Sequence, residues 1–412
     1  MMCNKVRPVR NRVVVALLVS FALVLSACGG GGGGGAAPPA QADVAPAPVV
    51  NTNTLAISAG VTNSNINLLL TSVTVCAPDT ANCVTIDRVL VDTGSTGLRI
   101  LSSALPSSIA LTTQTGVSGN PVGECLRFAS GYTWGPVRVA DIKMGAEQVN
   151  SIPVQIINDP AFAAVPLSCS SSGPALNVSQ TLGANGILGI GVFRYDCGNA
   201  CVSNAIAGTY YTCTATACQS ATQALARQVQ NPVANFARNN NGVVVQLPAI
   251  PDIGIARVDG SLIFGIGTQT NNGLGNATVI GLNAAGNFIT QYSNRSFTRS
   301  FLDTGSNGVF FRDTSIALCT LASGFYCPPT TLNLTATATG ATAGVNTINF
   351  SVANLETLAR NNPTFTTFNN AAGTTGSTTQ FDWGLPFFFG RNVFIAIEGA
   401  ATPGGVGPYY AF

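Results

Sequence analysis

The chain has 412 residues, a net charge of +2 and only 8% Asp, Glu, Lys and Arg. A charge this small gives no reason to expect a nucleic acid or another polyanion as a partner. A chain of this length usually holds two hydrophobic cores, and abundant Gly with scarce Lys and Glu is typical of short strands joined by turns.

The first 28 residues predict an export signal. A positively charged start, from Lys5 to Arg12, precedes an apolar run over residues 13–25 that is too short to span a bilayer comfortably. The run ends in Leu-Ser-Ala-Cys, which resembles the lipobox of bacterial lipoproteins and implies acylation of Cys28. An ordinary signal peptide with a chance Cys is the alternative. The Gly-, Ala- and Pro-rich residues 29–52 then predict a tether to a membrane of the cell envelope, periplasmic or outer-membrane anchored.

From residue 53 onward, short apolar runs alternate with Gly, Asn and Pro, which predicts an all-β chain. The predicted strands include residues 66–75, 88–91, 137–144, 154–157, 242–247, 262–266 and 393–397. Two helices are predicted, an alanine-rich one over residues 220–239 and a weaker one over residues 352–360.

Twelve cysteines fit an exported chain. Cys3 leaves with the signal and Cys28 takes the lipid, so ten remain, an even number in an oxidising compartment. Short spacings pair Cys76 with Cys83, Cys197 with Cys201, Cys213 with Cys218 and Cys319 with Cys327, and elimination pairs Cys125 with Cys169. The alternative is a four-thiolate zinc site within residues 197–218, but export and the lack of His favour disulfides.

An internal repeat predicts two lobes. An apolar strand that ends in Asp92-Thr-Gly-Ser recurs as one that ends in Asp303-Thr-Gly-Ser, and the separation, 303 − 92 = 211 residues, is the length of a whole lobe. We therefore predict a duplicated domain, with an N-terminal lobe at residues 53–246 and a C-terminal lobe at residues 247–412.

The repeat supplies two carboxylates for acid–base chemistry. The chain has no His, which excludes Ser-His-Asp, Cys-His and His-ligated zinc catalysis. Two carboxylates a few ångströms apart cannot both ionise easily, so one keeps a proton and the pair can activate a water against an amide carbonyl. We predict Asp92 and Asp303 as this pair. The predicted supporting residues are Thr93 and Thr304 for bonds across to the opposite loop, Gly94 and Gly305 for close backbone approach, and Ser95 and Ser306 as donors to the carboxylates.

Both runs look like the active-site loops of pepsin-like aspartic peptidases, one in each lobe. Residues 186–191 resemble the hydrophobic-hydrophobic-Gly segment that crosses behind the family's first loop, residues 388–394 resemble its counterpart, and residues 260–265 resemble the strand that opens the second lobe. The resemblance implies an all-β, two-lobed, pepsin-like fold. It also implies a monomer that acts on a polypeptide substrate and uses no cofactor or metal.

The family's flap, a β-hairpin that closes over the substrate, is matched with departures. The run from Phe128 through Gly131 resembles it, with Phe128 in the place of the flap tyrosine. Tyr132 or Trp134 can supply a polar handle instead, or both can simply pack a hairpin. Arg99 stands where many family members have Trp, and it either places a charge beside the first loop or faces solvent.

These patterns predict an exported, lipid-anchored aspartic endopeptidase. The alternative is a non-catalytic extracellular lipoprotein that uses the cleft to bind a peptide or protein. Intact aspartates in both loops favour the peptidase, because a binding module needs neither, whereas the departures in the flap favour the binding protein. A structural surface component is a third hypothesis that no sequence feature favours.

Overall fold

β-Strands make up most of the chain. The computed structural model describes residues 52–60, 65–116, 118–214 and 216–412. Its strands are β1 Thr54–Ala59, β2 Leu69–Cys76, β3 Cys83–Asp92, β4 Thr96–Leu101, β5 Thr112–Thr113, β6 Val122–Phe128, β7 Gly131–Met144, β8 Glu147–Ile157, β9 Gly186–Ile190, β10 Tyr210–Cys213, β11 Cys218–Ser220, β12 Gly242–Leu247, β13 Val258–Phe264, β14 Val279–Gly281, β15 Phe288–Tyr292, β16 Arg295–Asp303, β17 Val309–Phe310, β18 Leu332–Thr339, β19 Val345–Val352, β20 Ala372–Gly373, β21 Gln380–Gly384, β22 Arg391–Ala396, β23 Ala401–Thr402, β24 Gly405–Val406 and β25 Tyr409–Ala411. The predicted all-β class is confirmed.

The helices of the described residues are short. They are α1 Leu167–Ser170, α2 Ser179–Leu182, α3 Asn199–Ser203 and α4 Leu355–Asn361, with 3-10 turns at Ser102–Ala104, Pro160–Phe162, Leu225–Arg227, Val233–Asn235 and Leu385–Phe388. The helix predicted at residues 352–360 corresponds to α4, which begins where the Asn354 side chain accepts a hydrogen bond from the Thr357 N–H. None of these helices has the length and apolar character needed to cross a membrane.

The helix predicted over residues 220–239 is wrong. After the end of β11, that segment holds only two single 3-10 turns, Leu225–Arg227 and Val233–Asn235. Pro232 has no N–H to donate and disfavours the helical conformation at Asn231. The Asn231 side chain instead donates to the Gly191 carbonyl, 2.9 Å away. Alanine content predicted a helix here, and a buried asparagine bonded to the backbone of the site region prevents one.

One large sheet runs through both halves of the repeat. Its strands are bonded in the order β11-β10-β6-β7-β8-β4-β9-β3-β2-β1-β13-β12-β22-β25-β14, with β5 added to β7 and a further pairing of β7 with β2. A second sheet has the order β19-β18-β15-β16-β21-β17-β20, and β23 pairs with β24. The domain boundary predicted between residues 246 and 247 falls within β12, a central strand of the large sheet. The division of the chain into two lobes therefore stays a prediction.

Both aspartate-bearing strands are anchored in one hydrophobic core. Val91 in β3 and Leu302 in β16, each next to its aspartate, belong to the same cluster and are fully buried. Close-packed interiors resist movement of such residues. The core therefore sets where the two strands end and where their loops begin.

A duplicated strand arrangement lies behind the two loops. In the first half, β9 runs parallel to β3 and places Gly189 opposite Asp92, and β9 is also antiparallel to β4. In the second half, β21 runs parallel to β16 and places Gly384 opposite Asp303. The segment predicted at residues 186–191 therefore crosses behind the first loop as expected.

Its predicted counterpart at residues 388–394 is wrong. Phe388 ends a 3-10 turn, and β22 pairs with β12 and β25 in the large sheet, away from the crossing position. β21 occupies that position instead. Phe388-Phe389-Gly390 matches the hydrophobic-hydrophobic-Gly pattern fully. Asp382-Trp383-Gly384, the segment that lies at the crossing position, matches it only in part, because its first residue is an acid.

The ten cysteines outside the predicted signal and lipid site form five disulfides. The pairs are Cys76–Cys83, Cys125–Cys169, Cys197–Cys201, Cys213–Cys218 and Cys319–Cys327. The predicted pairing is confirmed. The alternative four-thiolate zinc site does not form, because each of its cysteines is bonded to its neighbour in sequence.

The predicted signal peptide, Cys28 and the tether up to residue 51 lie outside the described residues. Their assignment stays a prediction from the sequence.

We predict that Cys125–Cys169 contributes most among the disulfides to stability. Its two cysteines are 44 positions apart in the sequence, so the bridge closes a long loop, whereas Cys197 and Cys201 are only 4 positions apart. Since a cross-link restricts the unfolded chain more when its loop is longer, replacing Cys125 and Cys169 by Ala should lower the free energy of unfolding by about 4 kcal/mol, against about 2 kcal/mol for the Cys197/Cys201 pair. Denaturant unfolding of the two double variants measures this. An equal or larger loss for the shorter loop would contradict it.

Candidate active site

The two Asp-Thr-Gly-Ser loops have the same internal hydrogen bonds. In the first, the Gly94 N–H donates to Asp92 Oδ1 at 2.8 Å and the Ser95 hydroxyl donates to Oδ2 at 2.6 Å. In the second, the Gly305 N–H and the Ser306 hydroxyl reach the two oxygens of Asp303, each at 2.7 Å. Donors to both oxygens fix the orientation of each carboxylate and favour its charged form.

Two threonines join the loops across the site. Thr93 Oγ1 donates to the Leu302 carbonyl at 3.0 Å and accepts from the Thr304 N–H at 3.0 Å. Thr304 Oγ1 donates to the Val91 carbonyl at 2.7 Å and accepts from the Thr93 N–H at 3.1 Å. Each hydroxyl therefore bonds both a donor and an acceptor of the opposite loop. All four bonds are buried, so no water competes for them.

The two glycines allow the loops to approach. A Cβ on Gly94 would lie 2.7 Å from Asp303 Cγ, and a Cβ on Gly305 would lie 2.8 Å from Asp92 Oδ1. Both distances are shorter than any real Cβ contact. Each glycine therefore packs directly against the carboxylate of the other loop, and any larger residue would push the two aspartates apart.

The two aspartates share one proton-binding environment. Asp92 is 4% exposed and Asp303 8% exposed. Burial, and after it the charge of Asp303 and a hydrogen bond between the two side chains, raise the pKa of Asp92 from 3.8 to about 7, although the hydrogen bonds from Ser95 and Gly94 act in the opposite direction. The pair can thus hold one proton near neutral pH, which provides an acid and a base at one place.

A third carboxyl group, Asp382, lies behind the second loop. The Ser306 hydroxyl is 2.7 Å from an oxygen of Asp303 and also 2.7 Å from Asp382 Oδ2. Burial, and then the charge of Asp303, raise the pKa of Asp382 well above its usual range. Sequence reasoning missed this residue. The signal available was an acidic residue inside an otherwise apolar strand, directly before Trp383-Gly384.

Arg99 is buried and paired, so the second of the two alternatives, a side chain that faces solvent, is wrong. Its side chain is fully buried and forms ion pairs with Glu124 in β6 and Asp196. Tyr210 donates to Asp196 at 2.7 Å, and its own hydroxyl accepts from the Val229 N–H. Burial and the charge of Glu124 raise the pKa of Asp196 well above its usual range. This network ties the strand after the first loop to the neighbouring hairpin.

The predicted flap is the hairpin of β6 and β7, with Phe128 opposite Gly131 at its turn. Tyr132 and Trp134 are buried in a cluster around the Cys125–Cys169 bridge. Trp134 meets Tyr211 edge-on at 5.3 Å and donates from Nε1 to the Phe162 carbonyl at 2.8 Å. These contacts support the packing interpretation of both aromatic residues.

The turn of the hairpin is held by its neighbours. The Tyr132 N–H donates to the Pro174 carbonyl at 3.0 Å. A Cβ on Gly131 would lie 2.1 Å from that same carbonyl oxygen, which explains why the position needs glycine. Phe128 packs with partial burial against an apolar cluster that contains Leu68 and Leu176. The hairpin is thus fixed on the side that carries α1 and the segment after it.

Comparison with known proteins places the chain in a family of unknown role. The model of the family described as "Protein of unknown function (DUF3443)" matches residues 47–412, and the chain belongs to that family. No curated protein matches it significantly. Among solved structures, the chain is similar to the aspartic proteinase from Irpex lacteus, with 15% identity, a TM-score of 0.48, and coverage of 87% of this chain and 96% of that one.

We predict that the folded protein becomes more stable as the pH falls from about 7.5 to about 4.5. The pKa of Asp92, Asp196 and Asp382 is raised on folding. Between the ordinary and the raised pKa the folded state binds more protons than the unfolded state, so the free energy of unfolding falls as the pH rises. For Asp92 this window runs from 3.8 to about 7. Thermal unfolding should therefore give a higher Tm at the lower pH.

Asp92→Asn should flatten this dependence, because it removes one of the three groups. Asp259→Asn is the matched control, since the Asp259 side chain is 67% exposed. Folding lowers the pKa of Asp313 and Glu356, so their charged forms stabilise the fold at pH values above the ordinary pKa. This contribution is lost in stronger acid, as the pH falls through the lowered pKa. A Tm that rises with pH across the stated range would refute the prediction.

Proposed function

We propose that this member of the DUF3443 family is an aspartic endopeptidase that hydrolyses peptide bonds with a water activated by Asp92 and Asp303. The observation that carries the proposal is the reciprocal seating of the loops, in which each glycine packs against the opposite carboxylate. A purely structural pair of turns needs neither buried carboxylate, and burying two carboxylates side by side without a cation costs free energy that such turns have no reason to incur.

The proposed reaction uses one proton held by the pair. The ionised aspartate takes a proton from the water as the water oxygen bonds to the amide carbon, and the protonated aspartate gives its proton to the carbonyl oxygen. The tetrahedral intermediate then collapses. Its C–N bond breaks as the leaving nitrogen receives the proton that the first aspartate took from water, while the other aspartate takes a proton from a hydroxyl of the intermediate as the C=O bond of the product acid forms. The pair is left with one proton, on the aspartate that held it at the start. The backbone N–H groups and serines of the loops keep both carboxylates oriented throughout.

Peptide binding without cleavage is the second candidate function. The observation that favours it is the anchored hairpin, whose Cys125–Cys169 bridge and Trp134 contacts fix it to neighbouring segments. A hairpin that does not move would still form one wall of a peptide site. The two candidates differ in whether any pH supports cleavage.

We predict that Asp92→Asn and Asp303→Asn each lower kcat by at least about a thousandfold, because the two carboxyl groups act as one unit and Asn cannot pass a proton. The wild type should cleave a denatured protein with a bell-shaped pH profile, whose alkaline limb falls as the pair loses its proton near pH 7. Mass spectrometry of the fragments across about pH 3 to 8 measures both effects.

Asp259→Asn again serves as the control, because it makes the same chemical change at an exposed position. Absence of cleavage by the wild type at every pH would favour the binding protein. Near-parental cleavage by either active-site variant would exclude the aspartic mechanism.

We also propose that Cys28 is acylated and anchors the chain to a membrane of the cell envelope. The support is the Leu-Ser-Ala-Cys run after an apolar segment and before a Gly-rich tether. Intact mass analysis of the membrane fraction should give a chain that begins at Cys28 with added lipid mass. Cys28→Ala should move the protein to the soluble fraction, and an unlipidated mature chain would contradict the proposal.

A further inference from the structure

The two halves of the site differ at one strand position. In β9, Ile187 lies opposite Leu90, two residues before Gly189. In β21, the matching residue opposite Phe301 is Asp382, two residues before Gly384. The first half therefore has a hydrocarbon side chain behind its loop, and the second half has a carboxyl group that touches the loop's serine.

The hydrogen bonds of Ser306 require an additional proton. Its hydroxyl carries one hydrogen, but carboxyl oxygens of Asp303 and Asp382 both lie 2.7 Å from Oγ. The hydroxyl can donate to only one of them. The other contact is a hydrogen bond only if that carboxyl group is protonated and donates to Oγ.

The surroundings indicate that Asp382 carries this proton. Asp303 also accepts from the Gly305 N–H, a second donor that stabilises negative charge. Asp382 is 6% exposed, and its Oδ1 is buried and accepts no hydrogen bond from any described residue. A buried carboxylate with one unmatched oxygen is unfavourable, whereas a neutral carboxylic acid needs only one acceptor for its proton.

We propose that Asp382 is a positioning residue, a neutral carboxylic acid that donates to Ser306 and so commits the Ser306 hydroxyl to Asp303. The proposed direction of the chain is Asp382 to Ser306 to Asp303. Successive hydrogen bonds that point the same way strengthen one another. The effect on catalysis rests on the proposed peptidase function, while the protonation of Asp382 does not.

The proposal also makes the catalytic pair asymmetric. Ser95 donates to Asp92 in the same way that Ser306 donates to Asp303, but the strand position equivalent to Asp382 is occupied there by Ile187, which has no acid group. Among the described residues, the titratable groups that act on Asp382 are Asp303, Asp92 and the buried Tyr410. The extra polarised donor therefore reaches Asp303 alone, which favours Asp303 as the ionised member that accepts the proton from water.

Two substitutions at position 382 separate a neutral acid from a charged one. Asp382→Val removes the donor and keeps a residue suited to a buried strand, so kcat should fall roughly tenfold with little change in KM, as for the loss of one hydrogen bond. Asp382→Asn places an amide N–H where the acid O–H would lie. It should recover most of the kcat lost in the Val variant and leave the pH profile in place.

A shift of the pH profile in Asp382→Asn would overturn the proposal. If Asp382 were ionised, Asn would remove a negative charge beside the pair, ionisation of the pair would become easier, and the alkaline limb would move to lower pH. A double-mutant cycle tests the route through Ser306. In a Ser306→Ala background, Asp382→Val should cause no further loss of kcat, and a full additional loss would overturn the proposed route.

A spectroscopic measurement covers the case in which the wild type cleaves nothing. Infrared difference spectra of the wild type against Asp382→Asn at neutral pH should contain a protonated carboxylic acid band that shifts in deuterium oxide. Its presence supports the neutral acid even if the peptidase proposal fails. If the difference spectrum lacks this band while Asp382→Asn keeps the parental Tm, the proposal for Asp382 is overturned. The peptidase proposal is then decided by the cleavage assay alone.

Discussion

The reciprocal bonding of Thr93 and Thr304 is the constraint on which the site depends. Each hydroxyl bonds both a backbone N–H and a backbone carbonyl of the opposite loop, so neither loop reaches this geometry without the other. The bonds also position Gly94 and Gly305 against the opposing carboxylates. Burial of the pair, its raised affinity for a proton and its proposed chemistry all follow from this contact. The shared core then holds β3 of the large sheet and β16 of the second sheet at the required separation.

The two halves of the site, each built around one Asp-Thr-Gly-Ser loop, differ from each other at two buried positions. The strand that follows the first loop carries Arg99, which pairs with Glu124 and also contacts Asp196, and these contacts link that strand to the hairpin. Behind the second loop, the crossing strand carries Asp382, which reaches Ser306. The first departure involves the wall of the site and the second involves its proton chemistry. A perfectly symmetric pair would have no built-in preference for which aspartate holds the proton, and the proposed role of Asp382 provides one.

Sequence patterns predicted the parts that depend on short-range or repeated signals. The disulfides followed from cysteine spacing, and the Asp92 and Asp303 loops followed from a repeat, because both signals survive without knowledge of the fold. The helix at residues 220–239 failed because Asn231 is recruited by a distant backbone carbonyl. The second crossing strand failed because two aromatic-Gly segments look alike and only the β-sheet register distinguishes them. Asp382 was missed for the same reason, since its contact with Ser306 joins residues 76 apart.

Three buried carboxyl groups bind a proton more tightly in the folded protein than an exposed carboxyl group does. Asp92, Asp196 and Asp382 are all buried in positions that raise the pKa, and each has another carboxylate as a neighbour. In most proteins acid is harmful because it protonates carboxylates that are paired with cations in the folded state. Here protonation relieves repulsion between neighbouring acids at the site itself. The arrangement that supplies a shared proton for the proposed chemistry therefore also makes the fold tolerant of the acidity in which that proton is most readily kept. The stability and the proposed activity thus depend on pH through the same residues.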